Sequence, residues 1–334
     1  MLMGEAMTAQ KTVVVATHGH CFDGLCSAAM FARLLTHADR EGRDGLRFTF
    51  TACGYGPGQN GVDAKVLSGD VNAILDFRFS AAPQLTWYFD HHVSAFPGEG
   101  DRAAYEARAR AIPRHFFHDG AYGSCTKLIA DVGARDFGLD PAPSAKLVAW
   151  ADMIDSASFP SAEFAVERKD PVLQLMTVVE HHGDDAFLTR MVPQLLSTPV
   201  EELARSAEVQ ALYAPLGAEH LQFIETVRAM GKEKDGVVLV DLTDRLIDVA
   251  GKFVTYALFP DSAYSVLVTR SKSKCKISIG FNPWSKAPRK HNIAAICERW
   301  GGGGHPVVGA ISLPADQVAK AQEIARTVVA ELAA

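Results

Sequence analysis

No apolar run in the 334-residue chain approaches the roughly 20 residues needed to span a bilayer. Its first residues (MLMGEAMTAQK) lack a basic stretch followed by an apolar one, so no secretory signal is expected. Residues 1–10 read as a loose lead-in, with Met7 as an alternative start. None of the six cysteines (Cys21, Cys26, Cys53, Cys125, Cys275 and Cys297) forms a Cys-x-x-Cys pair, which leaves a zinc ribbon or a redox motif without support. Thiols scattered in this way suit a reducing cytoplasm. An excess of positive charge is also missing. The formal net charge is -6, which excludes a general polycation but not a local basic patch. There is no internal repeat and no low-complexity tract.

What is present is the alternation of an α/β protein. Charged residues make up 22% and hydrophobic ones 48% of a chain long enough for two cores. Short β-branched or aromatic runs predict strands at 11–17 (KTVVVAT), 47–53, 71–76 (VNAILD) and 85–90 (LTWYFD). Helical patterns fall at 24–37, 124–137 and 142–154. Strands alternating with helices predict a mostly parallel layered sheet. Residues 186–234 carry no strand signal and read as all helical, including 200–213 and 219–230. Strand character returns at 237–242, 264–270, 275–281 and 307–313, with helices at 292–300 and 314–332.

In a parallel sheet, ligands bind beyond the carboxyl ends of the strands. Three of the predicted strands end in residues suited to a metal ion. The first is followed by His18, His20, Cys21 and Asp23, the third ends at Asp76, and the fourth ends at Asp90-His91-His92. Hard divalent cations take carboxylate oxygens, and imidazole shifts the preference toward transition metals. The mixed set therefore points to Mn²⁺ ahead of Mg²⁺. Two such ions about 3.5–4 Å apart can share a carboxylate and clamp a phosphoryl displacement. His181-His182-Gly183-Asp184-Asp185 has a similar composition, but it lies away from the strand ends and reads as structural.

Asp90-His91-His92 after an apolar strand resembles the motif that names the DHH phosphoesterases. The segment from His18 to Ala28, H-x-x-C-x-D-G-x-x-x-A, is similar to the first motif of that family, and Asp76 in ILDF stands where the second belongs. Asp155-Ser156-Ala157-Ser158-Phe159 is similar to the fourth motif. Gly301-Gly302-Gly303-Gly304-His305 resembles the glycine-rich signature of the DHH-associated C-terminal domain. These motifs stand in the family's order over nearly the whole chain. The resemblance implies a centre of two ions, Mn²⁺ or Mg²⁺. His18 and Asp76 would hold one ion, while Asp23, Asp76, His91 and Asp155 would hold the other, with Asp76 bridging. Asp152 is the alternative to Asp155, because WADMIDSA aligns either way. His92 would face the substrate phosphate, and Asp90 would orient the adjacent histidines. One departure concerns Cys21, which falls where the commoner first motif has an aspartate, one residue nearer to His18. Either Cys21 ligates a softer ion, or the first ion position is weakened and fills only with substrate. His20 is a further substitute ligand.

Two features of the C-terminal part suggest anion recognition. Gly302, Gly303 and Gly304 strip side chains from the backbone ahead of His305, which allows successive N–H groups to form a concave anion site. From Val268 to Trp300 there are eight Lys/Arg and one acidic residue, Glu298. In an extended strand Arg270, Lys272, Lys274 and Lys276 would share a face and form one cationic row. Trp284 reads as packing, with base stacking as the alternative.

The expected architecture is α/β, with an N-terminal parallel-sheet domain (1–185) carrying the metals and a smaller C-terminal α/β domain (236–334) carrying the substrate clamp. A helical connector (186–235) joins them, closing on a charged, Gly-bounded linker at 231–236. The active site is expected in the cleft between the two domains. The implied activity is hydrolysis of a phosphoester in a short oligonucleotide or nucleotide by metal-activated water, as in the family's nanoRNases. An exopolyphosphatase-type hydrolase is the first alternative. A non-catalytic nucleotide- or polyphosphate-binding protein is the second, kept open by Cys21. No additional oligonucleotide-binding domain is present to suggest a long-DNA exonuclease of RecJ type. The expected partner is a small phosphorylated substrate or short oligonucleotide in the cytoplasm, with no membrane and with a homodimer left open.

Overall fold

The computed structural model describes residues 10–39, 45–55, 61–247, 251 and 253–334. Apart from Gln10, the lead-in read in the sequence lies outside them. The chain divides into two compact units. The first comprises Met1–Ser158 and Asp170–Tyr213, and the second comprises Phe159–Lys169 and Ala214–Ala334.

The first unit is built on β1 (Lys11–His18), α1 (Phe22–Ala38), β2 (Leu46–Cys53), β3 (Val71–Leu75), β4 (Trp87–Asp90), α2 (Asp101–Ala111), β5 (Phe116–His118), α3 (Cys125–Phe137) and α4 (Ala145–Asp155). Its five strands lie in the order β2-β1-β3-β4-β5, and all pairings are parallel. β1 is an interior strand of a sheet covered on both faces, which explains why Val13, Val15 and Ala16 are buried and why the sequence shows a continuous apolar run rather than an alternation. Because β1, β3 and β4 are neighbours, their C-terminal ends at His18, Leu75 and Asp90 lie side by side. α1 is buried along most of its length through Leu25, Phe31 and Leu34. Its first turn is locked to the end of β1, since the Thr17 hydroxyl donates to the Gly24 carbonyl at 2.9 Å. A Cβ on Gly24 would fall 2.0 Å from the His18 carbonyl oxygen.

The chain continues through α5 (Ala162–Glu167), α6 (Pro171–His182), α7 (Asp185–Ser197), α8 (Val200–Ala204) and α9 (Ala207–Met230). The division between the units falls inside α9, one residue ahead of Pro215. His181 to Asp185 are structural, as the sequence suggested. Asp184 caps α7 through the Phe187 amide, Asp185 accepts from the Ala52 amide at 2.6 Å, and the Gly183 carbonyl accepts from His20 N at 3.0 Å.

The second unit adds β6 (Lys232–Lys234), β7 (Val237–Leu246), α10 (Val254–Leu258), β8 (Tyr264–Arg270), β9 (Lys274–Phe281), α11 (Ile293–Glu298), β10 (Gly303–His305), β11 (Val308–Pro314) and α12 (Val318–Leu332). Its mixed sheet runs β10-β11-β9-β8-β7-β6. One face packs Val266, Val268, Ile277, Ile279 and Ile311 against Ile293 and Ile296 of α11 and Ile324 and Val328 of α12. The other packs Val238, Val240, Leu242 and Leu267 against Val166 of α5, Val227 of α9 and Val254 of α10. Trp284 is packing, with its indole N–H on the Phe159 carbonyl at 3.0 Å and its ring edge-on to Phe253.

Residues 232–234 are strand rather than helix. Asp235 and Gly236, both at positive φ (52° and 77°), turn β6 back onto β7 as a two-residue hairpin. α2 and β5 have no counterpart in the sequence reading. No α2 side chain is fully buried, so its apolar stripe is too weak to register, and β5 is only three residues long.

The β1–α1 junction gives a direct test. Gly24→Ala places a methyl against backbone and is expected to destabilise the protein by about 1–3 kcal/mol. Thr17→Val removes one buried hydrogen bond and is expected to cost about 1 kcal/mol. Both shifts are read from the midpoint of urea unfolding. A midpoint unchanged in Gly24→Ala would show that the junction is not close-packed.

Candidate metal centre

Asp76 follows β3 with φ of 53°, a left-handed conformation that Asp tolerates better than most residues. Its amide donates to the Phe89 carbonyl at 2.9 Å, so the backbone is pinned to β4 while the carboxylate turns inward. Asp23, in the first turn of α1, sits on the N-terminus of α3, where its two oxygens accept from the amides of Cys125 and Thr126 at 2.7 and 3.0 Å. Those amides are the unpaired donors of a helix start, and they favour a carboxylate. Asp155 is the last residue of α4. A carboxylate there opposes the helix dipole, so its position is not explained by the helix itself.

These three carboxylates surround one imidazole nitrogen. His91 Nε2 lies 3.2 Å from Asp155, 3.4 Å from Asp76 and 3.9 Å from Asp23. His91 Nδ1 donates to the Tyr122 carbonyl at 3.0 Å, which commits that nitrogen to its proton and aims Nε2 at the acids. His92 Nδ1 lies 2.7 Å from Asp90 and 3.6 Å from Asp76. On the other side, His18 Nδ1 is 3.7 Å from Asp76 Oδ2. His18, Cys21 and Asp76 present ligand atoms within 4.8 Å of one another, as do Asp76, His91 and His92, and Asp23, His91 and Asp155.

Asp90 has a different task. It is fully buried, and one of its oxygens accepts from the amides of His91 and His92 at 2.9 and 3.2 Å and from His92 Nδ1 at 2.7 Å. The other accepts from the Tyr88 hydroxyl at 3.0 Å. With its oxygens engaged in this way, Asp90 is placed to hold the histidines rather than to ligate. His118 Nε2 donates to the His92 carbonyl at 2.8 Å and supports the same loop.

The electrostatics show what is missing from this arrangement. Burial, reinforced by Asp76 and Asp155, pushes the Asp23 carboxyl well above the usual range. Burial opposes ionisation of Asp76 as well, but His18, His91 and His92 beside it outweigh that effect and bring it down to about 2. Burial opposes charging of His91 too, yet Asp155, Asp76 and Asp23 drive its pKa up to about 11. The acids thus favour positive charge at the place His91 Nε2 faces. His18 Nδ1, His91 Nε2 and both Asp76 oxygens are buried without a hydrogen-bond partner. Unpaired buried acceptors facing one another across 3–4 Å are the requirement of a coordinated divalent ion, so the residues fit a metal centre.

The sequence alternatives separate here. Asp155 joins the cluster, whereas Asp152 turns to the Ser124 hydroxyl at 3.3 Å. His20 Nδ1 faces the Glu180 carbonyl at 3.3 Å and lies outside the three ligand groups. Sequence reasoning missed Tyr55, whose ring lies edge-on to His18 at 5.0 Å with the Arg78 guanidinium over it at 4.9 Å. It also missed the α3 amides that seat Asp23. A Ser124 cap was a usable signal for the amides, but nothing in the sequence marks Tyr55.

The second unit corrects two expectations. The amides of Gly301 and Gly302 do not join a continuous anion nest. They donate to the carbonyls of Glu298 and Cys297 at 3.0 and 2.9 Å and close the end of α11. Gly303, Gly304 and His305 form the exposed strand β10. Gly302 and Gly304 are required by packing, because a Cβ would lie 2.2 Å from the Ala310 oxygen and 2.3 Å from the Val308 oxygen, respectively. Nor do Arg270, Lys272, Lys274 and Lys276 form one row. The chain reverses at 271–274, where Ser271 N donates to the Lys274 carbonyl, which leaves Lys272 in the turn. Arg270 pairs directly with Cys275 and so shares its side of the sheet, while Lys274 and Lys276 occupy the opposite, exposed side.

A parallel-sheet unit carrying this acid–histidine cluster, followed by a smaller mixed-sheet unit, is a fold shared with solved proteins that carry a DHH domain. The pGpG-specific phosphodiesterase PggH from Vibrio cholerae is similar to this chain, with a TM-score of 0.67 at 17% identity, covering 97% of this chain and 100% of that one. The DHH domain of a protein assigned to a family of ribosomal proteins is similar with a TM-score of 0.60 at 14% identity, covering 97% and 88%. RecJ from Thermus thermophilus, solved with Mn²⁺, gives 0.50 at 13% identity over 96% of this chain and 52% of that one. No protein-family model matches the sequence, and no curated protein matches it by sequence.

Asp90→Ala strands several buried donors at once. It is expected to lower stability by about 1–3 kcal/mol in urea unfolding and to weaken Mn²⁺ binding by roughly 10- to 100-fold in calorimetric titration. Mn²⁺ affinity unchanged in the variant would mean that Asp90 does not position the histidines.

Proposed function

We propose that the chain is a divalent-metal-dependent phosphodiesterase acting on a short oligonucleotide or dinucleotide. The observation that carries this reading is the set of mutually facing, unpartnered atoms of His18, Asp76 and His91 inside a ring of carboxylates. Asp76 turns one oxygen toward His18 and the other toward His91 and His92, so it would be a ligand shared by both sides of the centre. We assign Mn²⁺ or Mg²⁺ to the centre. When bound, such ions activate water and neutralise charge on a phosphoryl group.

The residues of the chain supply the rest. Asp90 fixes the tautomer of His92, so that Nε2 is the atom free to exchange a proton with a substrate oxygen. His91, Asp23 and Asp155 hold position without reorganisation because each is anchored by its own element. His305, the Gly303–Gly304 backbone and the exposed pair Lys274 and Lys276 are assigned to recognition of a flanking phosphate. A dinucleotide is favoured over polyphosphate because a pGpG-specific phosphodiesterase shares the fold along its entire length. Six free thiols and, among the described residues, no helix long and apolar enough to cross a membrane fit our placement of the protein in the cytoplasm.

Chelation is expected to abolish hydrolysis of a 5′-phosphorylated dinucleotide, and Mn²⁺ is expected to restore it. Asp76→Asn should reduce kcat on the order of a thousandfold, the equivalent of the several kcal/mol that ion stabilisation supplies. His305→Ala should raise KM while leaving bound metal unchanged. Measuring kcat/KM for the dinucleotide, a longer oligonucleotide and polyphosphate ranks the substrates. Full turnover in chelator, or in Asp76→Asn, would sink the assignment.

A further inference from the structure

The two ion positions implied by the cluster are not chemically alike. Around His91, the acids Asp23, Asp76 and Asp155 supply three carboxylates, a donor set for a hard ion. Around His18 there is one carboxylate, Asp76, together with the Cys21 thiol. Cys21 stands at the N-cap of α1, where Ser, Thr, Asp or Asn normally bonds the first-turn amides. Its side chain makes no capping hydrogen bond, although the Gly24 amide faces the sulfur. Asp76 is 1% exposed, and its Oδ2, which faces His18, is buried without a hydrogen-bond partner, as is His18 Nδ1.

The surroundings favour the same conclusion. Beside the His18 ring lie the fully buried Phe77 at 6.0 Å and the partly exposed Tyr55 at 5.0 Å. In such a setting a divalent ion is best held by a donor set that cancels its charge. One thiolate with a shared carboxylate approaches that balance. By contrast, the other buried thiols near the centre are not grouped with ligands. Cys125 donates to the Phe89 carbonyl at 3.3 Å, and Cys26 lies on the same helix as Cys21 outside the three ligand groups.

We infer that the centre is chemically unequal. The position bounded by His18, Cys21 and Asp76 selects a borderline-soft divalent ion of the Zn²⁺, Fe²⁺ or Co²⁺ class through a Cys21 thiolate, while the position bounded by Asp23, Asp76, His91 and Asp155 takes a harder ion such as Mn²⁺. This inference rests on the reading of the cluster as a metal centre. Soft sulfur donors prefer these ions over Mg²⁺ or Mn²⁺. Ligation replaces the S–H bond by a metal–sulfur bond and releases the thiol proton to solvent.

The test is a Co²⁺ titration of the full-length, metal-stripped protein with its thiols kept reduced. The wild type is expected to develop a near-ultraviolet thiolate-to-cobalt charge-transfer band that saturates at one ion per chain. Cys21→Ser should abolish the band, weaken Co²⁺ binding at that position by roughly 10- to 100-fold and release one proton fewer per bound ion. Mn²⁺ binding at the other position should stay within about threefold, since its ligands are untouched. Cys21→Asp should also lose the band and should shift preference from Zn²⁺ toward Mn²⁺, which keeps the test decisive if the serine variant folds poorly. Cys26→Ala should keep the band. A band that survives in Cys21→Ser, or Co²⁺ bound by the wild type without any band, overturns the inference and leaves the metal-centre reading standing. Failure of the wild type to bind either Co²⁺ or Mn²⁺ overturns both.

Discussion

Three carboxylates packed around a single imidazole nitrogen, largely shielded from bulk water, require positive charge between them. At separations of about 4 Å, like charges repel by several kcal/mol even at an effective dielectric near 20. Much of the first unit can be read as the means of holding that arrangement. The amides at the start of α3 grip Asp23, the Tyr122 carbonyl fixes the ring of His91, and Asp90 ties both histidine amides and the His92 ring to the end of β4. Without an added ion, the His91 proton serves as the countercharge. Burial and the nearby acids push Asp23 up, whereas the three histidines outweigh burial and hold Asp76 down.

The sheet sets the geometry of the cluster before any side chain does. β3 lies between β1 and β4, so residues just past the ends of three strands meet without long connecting loops. Left-handed backbone recurs in the loops around the cluster, at His20, Asp76 and Ala157, and Asp76 is the one of these three whose side chain faces both His18 and His91. The β1–α1 turn is equally constrained, since a Cβ at Gly19 would lie 2.6 Å from that of Ala52.

How much of this could be read in the sequence depended on the kind of interaction. Asp76 and the Asp90-His91-His92 triplet were legible because strand ends follow from apolar runs, and the layering rule then brings them together. The choice between Asp155 and Asp152 was not legible. Both belong to the last turn of α4, and only the packed structure shows that Ser124 takes Asp152. The Tyr122 carbonyl left no trace in the sequence, and the α3 amides were signalled only indirectly, by the Ser124 cap. The cationic row failed because alternation was carried through a turn: Ser271 reverses the chain and sends Arg270 to the other side of the sheet from Lys274. The glycine run was read as freedom for a ligand, but at Gly302 and Gly304 it answers the close approach of β11 carbonyls.

The route of the backbone between the two units has a consequence for how the protein can be made or cut. The chain leaves the first unit after Ser158, contributes α5 to the second, returns at Asp170 for α6 to α8, and crosses again within α9. Neither unit is therefore a continuous stretch of sequence. During synthesis the metal-ligand side chains are all present once Asp155 has emerged, yet α7, which packs on α1 and β2, follows some thirty residues later. No single proteolytic cut yields two whole units.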